Sequence, residues 1–194
     1  MPVSLVIDDP NLARFVQVTD AVSKEYAGNL EGWSGSPFAW ILTLPSRSRG
    51  AAGEKIVDTW LTHNGFNVKR ARHSGCDRIV DGINFEIKFS TLWQSGGYKF
   101  QQLRDQDYES VFCLGISPTR VHAWLIPKSV AWEHSIPQHG GNVGTDTKWL
   151  GFQADNPPPW MSEYGGSLSH VLEVLKERKS HESTIGKGGY RGGG

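Results

Sequence analysis

The stretch Gly75 to Ser90, Gly-Cys-Asp-Arg-Ile-Val-Asp-Gly-Ile-Asn-Phe-Glu-Ile-Lys-Phe-Ser, constrains this chain more than any other. From Ile83 to Phe89 the residues alternate strictly. Ile83, Phe85, Ile87 and Phe89 are apolar while Asn84, Glu86 and Lys88 are polar, which is the period of a strand with one buried face. Cys76 to Val80 is a second short strand. Between them stands Asp81-Gly82, the dipeptide favoured by a two-residue type I′ turn, because both central residues need positive φ. The stretch is therefore expected to be a β-hairpin.

Closing the hairpin on that turn sets the register. Val80 faces Ile83, Ile79 faces Asn84, Arg78 faces Phe85, and Asp77 faces Glu86. Opposed residues of an antiparallel pair sit roughly 5 Å apart at Cβ, where like charges are destabilising, so the two carboxylates call for compensation. A hard divalent cation supplies it, since carboxylate oxygens are the ligands Mg²⁺ prefers. Lys88 follows Glu86 by two residues and shares its face.

The chain has 194 residues, 38% of them hydrophobic and 21% charged, enough to bury a core as one domain with appendages. Lys+Arg and Asp+Glu both number 20, so the formal net charge is zero and any polyanion site must be local. Cys76 and Cys113 fall in apolar strand-like segments without zinc spacing, the pattern of reduced core thiols in a cytoplasmic protein. The N-terminus has no signal-peptide pattern, and no stretch is long and apolar enough to span a membrane.

Read in order, residues 1–28 carry a weakly amphipathic helix, with Leu12, Phe15, Val16, Val18 and Val22 as its apolar positions. Residues 29–49 read as loop around a short buried run, Phe38 to Leu44, with Trp33 and Trp40 expected in the core ahead of a DNA groove. Gly53 to Asn64 reads as a helix with an Ile56, Val57, Trp60, Leu61 stripe and Glu54 in its first turn. Phe66 to Arg72 is a strand. After the hairpin, Tyr98 to Tyr108 reads as a helix, Val111 to Ile116 as a buried central strand, Val121 to Ile126 as another strand, and Lys128 to His134 as a short helix. Residues 135–166 make an ordered surface excursion with Trp149 and Trp160, and Ser167 to Lys179 is a helix. The Gly-rich tail, 186–194, has low complexity and is expected to be flexible. The expected layout is one domain over residues 1–185, of mixed α/β (α+β) class, with a central mixed sheet flanked by helices in the core order αβββαββ.

With Asp77, Glu86, Ile87 and Lys88 in place, the spacing Asp-x8-Glu-x-Lys on a hairpin resembles the catalytic motif of the PD-(D/E)XK nuclease superfamily. The core order over roughly residues 53–127 resembles that fold too, most closely the type II restriction endonucleases. Cys76 stands where the literal motif has proline. The resemblance implies a Mg²⁺-dependent endonuclease acting on double-stranded DNA, with Mn²⁺ as a candidate substitute. It implies Asp77, Glu86 and the Ile87 backbone carbonyl as metal ligands, Lys88 as the residue that positions and activates the attacking water, and Glu54 as a helix-borne acid supporting the metal. It also implies a glutamine near the site from the helix after the motif strand, Gln101 or Gln102, with Gln102 favoured for sharing a polar side with Lys99.

Simpler roles stand beside these. Asp77 and Glu86 can line a solvated edge, Lys88 can form a plain cross-strand ion pair, and Glu54 can simply oppose a helix dipole. Asp81 is a turn residue, and His63, His73 and His122 are scattered singly, as surface or loop histidines are. Cutting both strands with one site per chain calls for a two-fold homodimer. The alternatives are a structure-specific repair or junction-resolving nuclease of the same fold, and a catalytically inactive DNA-binding module. The target sequence would be chosen by loops such as 29–49 and 135–166.

Overall fold

The hairpin closes on the expected residues. In a computed structural model of the chain, which describes residues 10, 16–19, 31–137 and 147–185, Asp81 and Gly82 both adopt positive φ, 50° and 101°. Strand β2 (Arg78–Val80) pairs antiparallel with β3 (Ile83–Thr91) in the register Val80↔Ile83, Ile79↔Asn84, Arg78↔Phe85. Strand β1 (Val68–Arg70) adds to the outer side of β2. On the other side of β3 lies β5 (Ser110–Ile116), parallel to it, and then β6 (Val121–Pro127), antiparallel to β5. The order β1-β2-β3-β5-β6 makes one mixed sheet of five strands.

Both faces of that sheet are covered. On one face pack α1 (Ser46–His63) and α3 (Leu168–Ile185), whose Val57, Leu61, Val171 and Leu175 meet Phe85, Ile87, Phe112, Leu114 and Leu125. On the other face lies a second sheet, ordered β4-β8-β7, from β4 (Gly97–Arg104), β7 (Ile136–Pro137) and β8 (Thr147–Gln153). Its Tyr98, Phe100, Leu103 and Leu150 meet Val111, Cys113, Trp124 and Ile126. Fully burying each such Leu, Ile, Val or Phe side chain contributes about 1.5–3 kcal/mol. Strand β5 is buried at every position, as its unbroken apolar run predicts. The cysteines Cys76 and Cys113 are buried free thiols, and burial pushes both thiols above their ordinary pKa, Cys113 the further of the two.

The largest departure from the expected order is β4. Residues 98–108, expected as a helix, contain most of a strand that pairs with β8, so the core reads α, then six successive strands, and only then α2 (Lys128–His134). Tyr98 and Phe100 alternate inward as a strand requires. The ladder then shifts register between Phe100 and Leu103, with Gln102 at φ 58°, and the bulge returns Leu103 to the core. That extra residue gives Phe100 and Leu103 their helix-like spacing in the sequence. The other departures are smaller. Helix α1 begins at Ser46, not Gly53, after Pro45 at its N-cap. Phe38 to Leu44 holds a 3-10 turn, Ala39–Thr43, that buries Ile41. Trp33 is in the core as expected, whereas Trp40 is half exposed. The described parts of 135–166, residues 135–137 and 147–166, are less a surface excursion than a wall of the core, since they supply β7, β8 and the 3-10 turn Pro159–Tyr164. Among the described residues no helix is long and apolar enough to cross a membrane. The N-terminal helix expected over 1–28 falls almost wholly outside the described residues, as do 138–146 and the Gly-rich tail.

Candidate active site

Strand β3 turns its apolar residues toward α1 and α3, so Glu86, Lys88 and Ser90 face the second sheet. That polar face is largely enclosed, and Glu86 is only 6% exposed. A buried carboxylate needs a partner. Lys88 Nζ lies 2.6 Å from Glu86 Oε1. Burial nonetheless holds the Glu86 carboxyl above its ordinary pKa, with the Asp77 charge adding to the rise and Lys88 opposing it.

Asp77 arrives by a route the ideal register does not include. The β2–β3 ladder stops at Arg78↔Phe85, one pair short of Asp77↔Glu86. The Asp77 backbone N–H instead donates to the Phe85 carbonyl at 2.9 Å, and the Ile87 N–H donates to Asp77 Oδ2 at 2.7 Å. The Asp77 side chain thus takes over a hydrogen bond that a continuing strand would make, and this holds its carboxylate beside Glu86.

Glu54 reaches the same place from α1. Its helix can approach β3 closely because position 53 is glycine, where a Cβ would lie 2.3 Å from the ring of Phe89. The Glu54 carboxyl is held above its ordinary pKa, first by burial and then by Asp77, with Arg78 and Lys88 opposing. Glu54, Asp77, Glu86 and Lys88 therefore lie within electrostatic reach of one another. Among the described residues, however, no three carboxylate, histidine or cysteine side chains converge tightly enough to enclose a metal ion by themselves.

Gln101 and Gln102 line a groove of about 390 Å³ together with Glu54, Ile87, Lys88 and Arg49. The reason for preferring Gln102, a polar side shared with Lys99, disappears with the helix. Both glutamines reach the groove because the bulge breaks the strand's alternation, and Gln102 holds a left-handed conformation that non-glycine residues adopt at a cost. His63, His73 and His122 do not line this groove. His63 and His73 are exposed, and His122 bonds the Tyr98 hydroxyl at 2.8 Å on β6.

Sequence reasoning missed Arg78. Its Nε lies 2.6 Å from Asp58 Oδ2, one terminal nitrogen is 3.6 Å from Glu54 Oε2, and the other donates to the Asp77 carbonyl at 2.7 Å. One guanidinium therefore ties α1 to the hairpin and locates two of the acids. The only sequence hint is an arginine flanking the motif aspartate.

Comparison with known proteins places little beside this geometry. No family model matches the chain, and no curated protein matches it. Among solved structures, it is similar to a bacterial homing endonuclease, I-Ssp6803I, at 12% identity and a TM-score of 0.49, over 73% of this chain and 98% of that one.

Proposed function

We propose that the chain is a Mg²⁺-dependent endonuclease that hydrolyses phosphodiester bonds of double-stranded DNA, of the type II restriction class. The observation that carries this reading is the Asp77–Glu86–Lys88 group: a buried Glu86 on a covered sheet face, a half-buried Asp77 carboxylate held beside it, and an ammonium 2.6 Å from Glu86. A solvated edge would let both acids hydrate freely. Their enclosure instead favours a cation.

The donor set fits Mg²⁺. All the candidate atoms are hard oxygens, and Mg²⁺ commonly uses only one or two carboxylates, completing its shell with water and substrate phosphate, so the lack of a third converging side chain is no obstacle. Asp77, Glu86 and the Ile87 carbonyl would hold the ion, with Glu54 supporting it from α1. A bound Mg²⁺ would lower the pKa of a water and offset the charge that develops on phosphorus. Lys88 would orient that water and place fixed positive charge where the anion builds up. Arg78 holds the Asp77 backbone and Glu54 in position. A dimer follows from one site per chain acting on two strands.

The test is incubation of long, unmethylated phage DNA with purified protein and Mg²⁺. Discrete bands are expected, and Lys88→Ala should slow cutting at least roughly 100-fold. Uncut DNA, or a Lys88→Ala protein as active as the wild type, overturns the reading. A panel of branched, nicked and linear substrates distinguishes the restriction class from a structure-specific nuclease of the same fold.

A further inference from the structure

Beside the catalytic groove the molecule has a second concavity, which the proposed chemistry does not use. A cavity of about 510 Å³ is lined by Trp33, Arg49, Thr91, Trp93, Gln94 and Lys99, among others. Arg49, Thr91, Trp93 and Lys99 also line the groove that holds Glu54 and Lys88, so the two spaces adjoin. The Lys99 ammonium sits 4.0 Å from the centre of the Trp93 ring and 5.2 Å from that of Trp149. Trp93 is nevertheless 43% exposed. Arg49 is fixed by its own loop, Nε donating to the Leu44 carbonyl and a terminal nitrogen to the Leu42 carbonyl, both at 2.8 Å.

Taken together, this is an accessible indole oriented by a lysine, next to a braced guanidinium, opening into the space where a phosphodiester would be cut. Aromatic faces flanked by cations are how proteins hold nucleobases and the phosphates attached to them. A base inside a duplex cannot use such a site, because its faces are covered by its neighbours and only its edges are open in the grooves. An unpaired base has free faces, and a cavity of this size suits a small planar group.

We propose that the Trp93 cavity binds an unpaired nucleobase of the DNA substrate, stacked on Trp93, with Arg49 and Lys99 on the phosphates that connect it to the scissile bond. This rests on the nuclease reading and narrows its substrate to DNA in which a base next to the cut is out of the helix. The base can come from a single-stranded gap or be turned out of a paired duplex, and in both cases the chemistry at Trp93 is the same.

The test uses the full chain carrying Lys88→Ala, in Mg²⁺, titrated with three labelled DNAs: fully paired, with one mismatch, and with a short gap. Affinity should rise in that order, because a base already unpaired does not have to be extracted. Trp93→Ala should weaken gapped DNA about 10- to 100-fold, the range expected for one stacked base, while Trp93→Phe, which can still stack, should retain most of the binding. If Trp93→Ala weakens only gapped DNA, the base comes from a single strand. If it weakens all three, the base is flipped. Affinities within twofold of the Trp93-containing protein on every DNA overturn the proposal, as does Trp93→Phe being as weak as Trp93→Ala. Cutting by the Lys88-containing enzyme is read separately. Mg²⁺-dependent cutting that ignores Trp93 removes the stacking site alone, whereas Trp93-dependent binding without any cutting removes the nuclease reading alone.

Discussion

Arg78 makes the most connections at the site. Its guanidinium reaches Asp58, Glu54 and the Asp77 carbonyl from a side chain only 16% exposed. Removing one partner of an enclosed ion pair leaves the other desolvated and uncompensated, and here that partner is Asp58. Arg78→Ala should therefore cost about 2 kcal/mol in urea unfolding, and cutting should fall further than the folded fraction does, because Asp77 and Glu54 lose their common anchor. Arg78→Lys should recover little of either, since a point charge cannot hold three partners in fixed directions. A variant as stable and active as the wild type would show that the hairpin and helix find their positions without it. Glu86 and Lys88 stand on one face because strict alternation places them by a local rule, whereas the Asp-Gly turn brings Asp77 only near Glu86, since the ladder stops one pair short and a side-chain bond to the Ile87 N–H sets its final position. Arg78 could not be picked out in the sequence, because its partners Asp58 and Glu54 belong to a helix whose docking no local pattern states.

Among the elements, the contact of α1 with β3 at Gly53 is the tightest near the site. A methyl group there would lie 2.3–2.4 Å from Phe89 Cγ and Cβ, atoms too near the backbone to swing away. Alanine normally favours a helix over glycine by about 1 kcal/mol, yet overpacking a filled contact costs roughly 1–3 kcal/mol. Gly53→Ala should therefore lower the unfolding midpoint and slow cutting, since the helix must back away and take Glu54 with it. A midpoint that rises would mean the contact is loose. The strands show where sequence reading ends. The α1 stripe Ile56, Val57, Trp60, Leu61 and the β3 alternation each repeat often enough to declare their period. β4 offers only Tyr98 and Phe100 before its bulge, and its partner β8 is far along the chain, so the spacing Phe100, Leu103, Asp107 reads as a helix. The start of α1 was hidden for another reason: Ser46 to Ala52 are small or basic residues with no apolar stripe.

For the molecule as a whole, metal binding and stability should be linked. A ligand held only by the folded state stabilises it by about 2.7 kcal/mol at a concentration of 100 Kd, which for a chain of 194 residues corresponds to roughly 5–10 °C in Tm. The sign with pH follows from Glu86. Its folded pKa is raised, chiefly by burial, so without metal the fold prefers the protonated carboxyl. Metal-free stability should therefore decline as pH rises from the ordinary carboxylate value through the raised one. The metal needs the ionised form and competes with that proton, so the Mg²⁺-induced rise in Tm should be larger at pH 8 than at pH 5. Calorimetric scans with and without Mg²⁺ at both pH values check this, and no Mg²⁺ effect in wild type, or an equal effect in Asp77→Asn, would count against the site.

The pairing of β4 with β8 also sets an order of events in synthesis. The strand bearing Glu86 and Lys88 can find β5 and β6 as soon as those have left the ribosome, but β4 must wait for β8, which follows β5, β6 and α2 in the chain. The acids and the lysine would then be assembled before β8 has arrived to pair with β4 and complete the second sheet. On the proposed reading, a growing chain would carry the parts of the site early and shut them into the groove late.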